Sequence, residues 1–206
     1  MHITEGILSP PVMACGWAAA GAATAVCLRS LDEERIPRTA VLTACFFAGG
    51  LIHLRIGPAS VHFVLNGLCG VILGPAAFPA IVVGLLLQCL LLASGGVSTL
   101  GVNACIMGFP ALGAWAGMRL WRSTAWGRTR GGTLLGAFAA GFGGVAAGSL
   151  LLVGALLTTG DELARIAPYI LAPHAAIAVI EGLLTAGVAS FLLRVRPAML
   201  EGGAHA

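Results

Sequence analysis

Runs of about twenty apolar residues recur along this chain, and the loops between them hold nearly all of its charge. A run of that length crosses the hydrocarbon core of a bilayer as a helix. Inside hydrocarbon each backbone N–H and C=O must find its partner within the segment, which favours helix over any open sheet. Segments at about 10–28, 39–54, 61–75, 77–94, 101–120, 132–158 and 168–193 fit this description. The third is short and the sixth is long. About seven spans are expected, or about six if the third is re-entrant. Composition agrees: 58% of residues are hydrophobic and only 9% charged, where a soluble domain carries about 25% charged residues. The expected fold is all-α, a polytopic membrane helix bundle of about seven transmembrane helices in one integral domain.

The eleven basic residues are all arginine, and their positions orient the bundle. With the N-terminus outside, Arg29, Arg35, Arg38, Arg119, Arg122, Arg128, Arg130, Arg194 and Arg196 fall on the cytoplasmic side. Only Arg55 and Arg165 stay outside. The positive-inside rule selects that orientation, with the N-terminus facing the periplasm or exterior and the C-terminus cytoplasmic. The arginines are spread over loops rather than gathered in a patch, so nucleic acid is not an expected partner. The start MHITEG lacks the basic n-region of a cleaved signal, so the mature chain is expected to keep Met1.

That expectation gives the first two residues a chemistry. The amine of Met1, the deprotonated amide of His2 and its imidazole Nδ1 can close fused five- and six-membered chelate rings around one ion. The set is planar, which suits Ni(II) or Cu(II), and Co(II) less well. A chain can also begin Met-His by chance. Context favours the metal reading, because His2, His53, His62 and His174 all fall on the outer side in this topology, and imidazole is the commonest metal-binding side chain. His205, in the Gly/Ala tail, is the exception.

Polar groups at membrane depth are costly and are read as functional candidates. Glu181 is the one carboxylate well inside a span, two helical turns after His174. It is either a structural hydrogen-bond partner or part of the metal path. Asn66 lies one turn below His62 and is expected to bond a metal-bound histidine, the favoured reading, or a neighbouring backbone group. Asn103, just after the loop 94–99, is expected to line the same cavity. Gln88 reads as interhelical glue. In the first span Ala18/Ala22 and Ala19/Ala23 form small-x-x-x-small pairs, a candidate docking face for a partner helix. The six cysteines form no C-x-x-C pair and read as apolar packing. No G-x-x-x-x-G-K-[ST] loop is present, so no ATP site of that kind is expected in this chain.

The opening MHITEGILSPP resembles the M-H-I-x-E-G-x-L-S-P start of the CbiM/NikM proteins, the substrate-specific membrane components of energy-coupling-factor (ECF) transporters for cobalt and nickel. The resemblance continues in GPASVHFVLNGLCGVILGPAAFPA (57–80), GGVSTLGVNACIMGFPAL (95–112) and PHAAIAVIEGLLTAGVASFLLRVRP (173–197). It implies that residues 1–9 fold back into a bundle formed by 10–197, with 198–206 a flexible tail. It implies a metal held by the Met1 amine, the His2 amide and imidazole, and His62, the histidine of the S-V-H block. His53 has no counterpart in that pattern and is expected in the outer vestibule, either orienting a ligand or as an accessory group on the entry path. The loop that often has an acid before Gly-Gly reads Ala93-Ser94-Gly95-Gly96 here, leaving a less negative entrance. The resemblance further implies a transmembrane coupling (T) subunit, cytoplasmic ATPase subunits, and a small auxiliary membrane subunit as a separate protein. The chain itself would be a transport subunit, not an enzyme, with Ni(II) or Co(II) as its cargo. A vitamin-binding component of similar architecture and a membrane enzyme with histidine-bound metal are the competing readings. The sequence does not decide between nickel and cobalt.

Overall fold

The computed structural model describes residues 2–56, 59–160 and 167–200. Met1, Arg165 and His205, singled out above, lie outside them, as does the tail beyond residue 200. Helix α1 (Pro10–Leu28) opens on two prolines whose fixed φ suits the first helical turn. A short 3-10 turn, capped by the Asp32 carboxylate on the Arg35 N–H, leads into α2 (Ile36–Gly49). An antiparallel hairpin follows, β1 (His53–Ile56) and β2 (Ala59–His62), with His53 opposite His62. Then come α3 (Asn66–Leu73), a 3-10 turn at Gly74–Ala76, and α4 (Ala77–Leu92). Three long helices complete the bundle: α5 (Leu100–Ser123), α6 (Arg130–Leu157) and α7 (Ala167–Val195), with a final 3-10 turn at Pro197–Leu200.

The all-α membrane bundle is as expected, but its spans are distributed differently. Among the described residues five segments are long and apolar enough to cross a membrane: Pro10–Leu28, Asn66–Leu92 taken as one run, Leu100–Ser123, Arg130–Leu157 and Ala167–Val195. The segment expected at 39–54 is the 14-residue α2, and its end has become strand. The segment expected at 61–75 is an eight-residue helix preceded by strand and extended chain. The reason lies in the sequence around Gly57-Pro58. Pro lacks the N–H a helix needs, and β-branched and turn residues flank it, so the chain reverses as a hairpin.

All eight residues of α3 are buried, which makes it the central post of the bundle. It can sit there because its glycines let other helices touch its backbone. A Cβ at Gly67 would strike the Ala140 carbonyl oxygen of α6, and one at Gly70 the Ala111 carbonyl oxygen of α5. Lipid gives no hydrophobic drive between helices, so such close backbone contact, through dispersion, carries the packing. Around this post Phe78, Ile81, Met107, Ala111, Val145 and Ile177 form the core. Helix α1 lies at the edge. It buries Gly16, Ala20 and Cys27, while Ala18, Ala19 and Ala22 are exposed and Ala23 is half-buried.

Candidate metal centre

Residues 2–8 precede the first helix and run into the bundle rather than away from it. Ile3 is 1% exposed and Leu8 5%. Backbone buried outside helix or sheet needs partners, and at Ile3 they come from α5 and the loop before it. The Asn103 Oδ1 accepts from the Ile3 N–H at 2.9 Å, and its Nδ2 donates to the Ile3 carbonyl at 3.0 Å. The Thr99 hydroxyl donates to the same carbonyl at 2.9 Å. Farther out, the Ser98 N–H donates to the Glu5 carboxylate at 3.2 Å. This clamp fixes the register of the chain and hence the place of His2.

His2 is held at its far edge by Gln88. The Gln88 Nε2 donates to the Phe46 and Phe47 carbonyls, both at 3.3 Å, which turns its Oε1 toward His2. That oxygen lies 2.8 Å from His2 Nε2. It can only accept, so Nε2 carries the proton and Nδ1 presents a lone pair. His62 is held the same way. Its Nδ1 donates to the Phe63 carbonyl at 2.7 Å, leaving the lone pair on Nε2. His2 Nδ1 and His62 Nε2 are 3.1 Å apart, with ring centroids at 4.9 Å. Two nitrogens each held about 2.0 Å from one metal ion, at a right angle, lie about 2.9 Å apart. The observed spacing is that of adjacent ligands on one ion. The nitrogen that His2 presents, Nδ1, is also the one that closes a chelate ring with its own amide.

Burial pushes the His2 imidazole down to about 3 and that of His62 down to about 2. Both rings are therefore neutral at ordinary pH, the protonation state that binds metal. His62 is anchored from below by Glu181 of α7. The Glu181 carboxylate accepts from the Val64 N–H and, at 2.8 Å, from the Leu65 N–H. These two donors stand between His62 and the N-terminus of α3, where a helix dipole favours negative charge. Leu65 has φ 55, in the left-handed region, where a non-glycine residue needs outside support.

Not every residue singled out in the sequence arrives at this point. Asn66 does not bond either histidine. Its amide donates to the Gly144 carbonyl at 3.0 Å and the Met107 carbonyl at 3.4 Å, tying α3 to its neighbours. Gln88 does tie α4 to α2 as expected and also bonds His2, whereas Asn66 bonds only neighbouring backbone. His174 bonds back to the Ile170 carbonyl of its own helix at 2.7 Å. His53 is exposed, with its ring edge-on to His62 at a centroid distance of 5.7 Å. Among the described residues no three His, Cys, Asp or Glu side chains cluster as ligands for one ion. Ser94, in the loop where an acid is common in the resembling family, puts its hydroxyl 3.5 Å from His2 Nδ1. Gln88 had one available signal: it is the single glutamine of the chain, set in the apolar run LLLQCLLL near the end of its helix.

Known proteins resemble this chain over nearly its whole length. The profile of the CbiM family, described as a cobalt uptake substrate-specific transmembrane region, matches residues 2–199. A putative metal transport protein of Haemophilus influenzae is 36% identical over 203 residues, covering 98% of this chain and 97% of its own. A fused nickel transport protein, NikMN, of Rhodobacter capsulatus is 31% identical, over 97% of this chain and 64% of its own. The crystal structure of a truncated transition metal transporter superposes with a TM-score of 0.81 at 25% identity, covering 94% of this chain and 99% of the other.

Proposed function

The chain belongs to the CbiM family of cobalt uptake substrate-specific transmembrane regions, and on that premise we propose that it captures Ni(II) or Co(II) as the substrate-binding subunit of an ECF uptake transporter. The ion is held in one plane by four nitrogens: the Met1 amine, the His2 amide, His2 Nδ1 and His62 Nε2. One observation carries this reading. Both imidazoles have their protonated nitrogen committed elsewhere, to Gln88 and to the Phe63 carbonyl, and their lone pairs meet at 3.1 Å. Two side-chain ligands alone hold a divalent ion weakly, and the chelating backbone nitrogens of the N-terminus supply the other two. A planar set of four nitrogens disfavours tetrahedral zinc.

Capture then proceeds by water loss from the ion and proton loss from the amine and amide. The imidazoles release none at neutral pH, since they are already neutral. The arginine distribution supports a multi-pass inner-membrane protein with this site facing outward and the C-terminus in the cytoplasm. Release inward is driven by ATPases on separate subunits through a coupling subunit that docks on the exposed Ala18, Ala19, Ala22 face of α1, with Ala23 behind it. The fusion of a related nickel transport protein with a further segment supports an auxiliary membrane partner. The whole chain rocks around its fixed site during release. The test is accumulation of labelled nickel and cobalt by cells expressing the chain with its coupling partners. His62→Ala abolishes accumulation in this account, and unchanged accumulation refutes it.

A further inference from the structure

We propose that His53 forms a transfer site with His62, which takes a hydrated divalent transition-metal ion from solution and passes it to the buried chelate. The inference rests on the binding reading above and extends it to how the ion arrives. The hairpin places His53 directly across from His62. Residues opposite one another on an antiparallel pair share a face, with Cβ atoms about 5 Å apart. The three rings differ sharply in access: His53 is exposed, whereas His2 and His62 are largely covered.

Ring geometry allows both pairings. An imidazole centroid stands about 3.2 Å from an ion that its nitrogen holds at about 2.0 Å. Two rings sharing one ion therefore have centroids roughly 4.5 to 6.3 Å apart, from right-angled to linear. His53 and His62 are at 5.7 Å, and His62 and His2 at 4.9 Å. His62 is within sharing distance of both partners. The tautomer also fits. His53 Nδ1 lies 3.2 Å from the Leu51 carbonyl, which can only accept, so Nε2 carries the lone pair.

The sequence of bonds is a plain ligand exchange with no redox change. His53 Nε2 displaces one water from the hydrated ion, and His62 Nε2 displaces a second. The two His2 nitrogens then replace the remaining in-plane waters and the Met1 amine takes the position that His53 leaves, the amide and amine protons passing to water. His53 is absent from the final set, so it changes the path and leaves the end state alone.

That distinction is measurable. Stopped-flow mixing of nickel with purified full-length protein, followed at the metal-to-nitrogen absorption bands, gives association and dissociation rates. His53→Gln, which keeps size and polarity without a good metal ligand, is expected to lower both rates together by roughly tenfold, within the range by which association rates vary among variants of one site. Kd is then unmoved. His53→Ala should do the same. A Kd raised through faster dissociation alone makes His53 a ligand of the final site and overturns the transfer role. Unchanged rates overturn it too. The same titration on protein extended by one residue at its N-terminus judges the underlying chelate separately: a Kd unaltered by the extension sinks the chelate, whatever His53 does.

Discussion

The two ends of the bundle are built by different means. At the end opposite the proposed metal centre, most polar side chains bond to partners near them in the sequence. Thr124 Oγ1 accepts from the Gly127 N–H at 3.0 Å, Thr129 Oγ1 from the Gly132 N–H at 3.0 Å, and Trp121 Nε1 donates to the Gly132 carbonyl at 2.8 Å. Partners there are three to eleven residues apart, with Arg122 to the Leu200 carbonyl a long-range exception. At the metal-centre end the bonds span the chain: 60 residues from His2 to His62, 86 from His2 to Gln88, and 116 from Leu65 to Glu181. The first end stabilises helix termini. The second end places particular atoms, and it does so only once the whole bundle has formed.

The sharpest break between the two ends is expected at His62. His62→Ala should weaken nickel binding by more than about a hundredfold, beyond the range seen for groups that only orient a ligand. Titration calorimetry checks this, and thermal unfolding in detergent should move little. Next comes Gln88→Leu, which removes the group that fixes the His2 tautomer and should cost about ten- to a hundredfold in affinity. If Gln88 is merely glue between α2 and α4, unfolding temperature drops and affinity holds.

Glu181→Gln is milder and tests whether α7 supports the site. A glutamine offers one acceptor where the carboxylate offers two, so one of the Val64 and Leu65 N–H groups loses its partner. Both stability and affinity should fall, affinity by about tenfold. Thr129→Ala, at the other end, should cost about 1 kcal/mol of stability through its lost helix cap and leave nickel affinity alone. A fall in affinity there would break the contrast between the ends.

Acidity separates them as well. The folded His2 and His62 imidazoles titrate near 3 and 2, below the unfolded value of 6.5. Between those limits the unfolded chain binds more protons, so metal-free stability falls as pH drops below about 6.5. Metal capture has a different window. Its proton competitors are the terminal amine, with an ordinary value near 8, and the amide. Nickel affinity should therefore keep rising between about pH 6.5 and 8, and calorimetry in buffers of different ionisation enthalpy should count protons from those two groups. A plateau above pH 6.5 would mean the imidazoles alone set the competition.

What could be read from sequence follows the same division. Apolar runs, the prolines opening α1 and the Thr129 cap are local patterns, and they give the helices. His2 and His62 were legible through chelate chemistry and a motif. Gln88 and Asn66 were not, because their surroundings depend on where the chain breaks between α2 and α3. A hairpin of four-residue strands inside an apolar stretch leaves little periodic trace. Once that break is known, Asn66 turns to the α5 and α6 carbonyls and Gln88 to His2. Glu181 was recognisable as a buried acid, but its partners are backbone amides, which no side-chain pattern announces.

The central claim is that the chain's own terminus is the ligand. The most direct measurement compares Ni(II) and Co(II) titration of the native protein with the same protein carrying one extra N-terminal residue. The extension turns the Met1 amine into an amide and displaces the chelate. The account predicts that tight binding is lost, by about a hundredfold or more, while the fold is retained. Equal affinity in the two proteins would contradict it and move the site away from the first two residues.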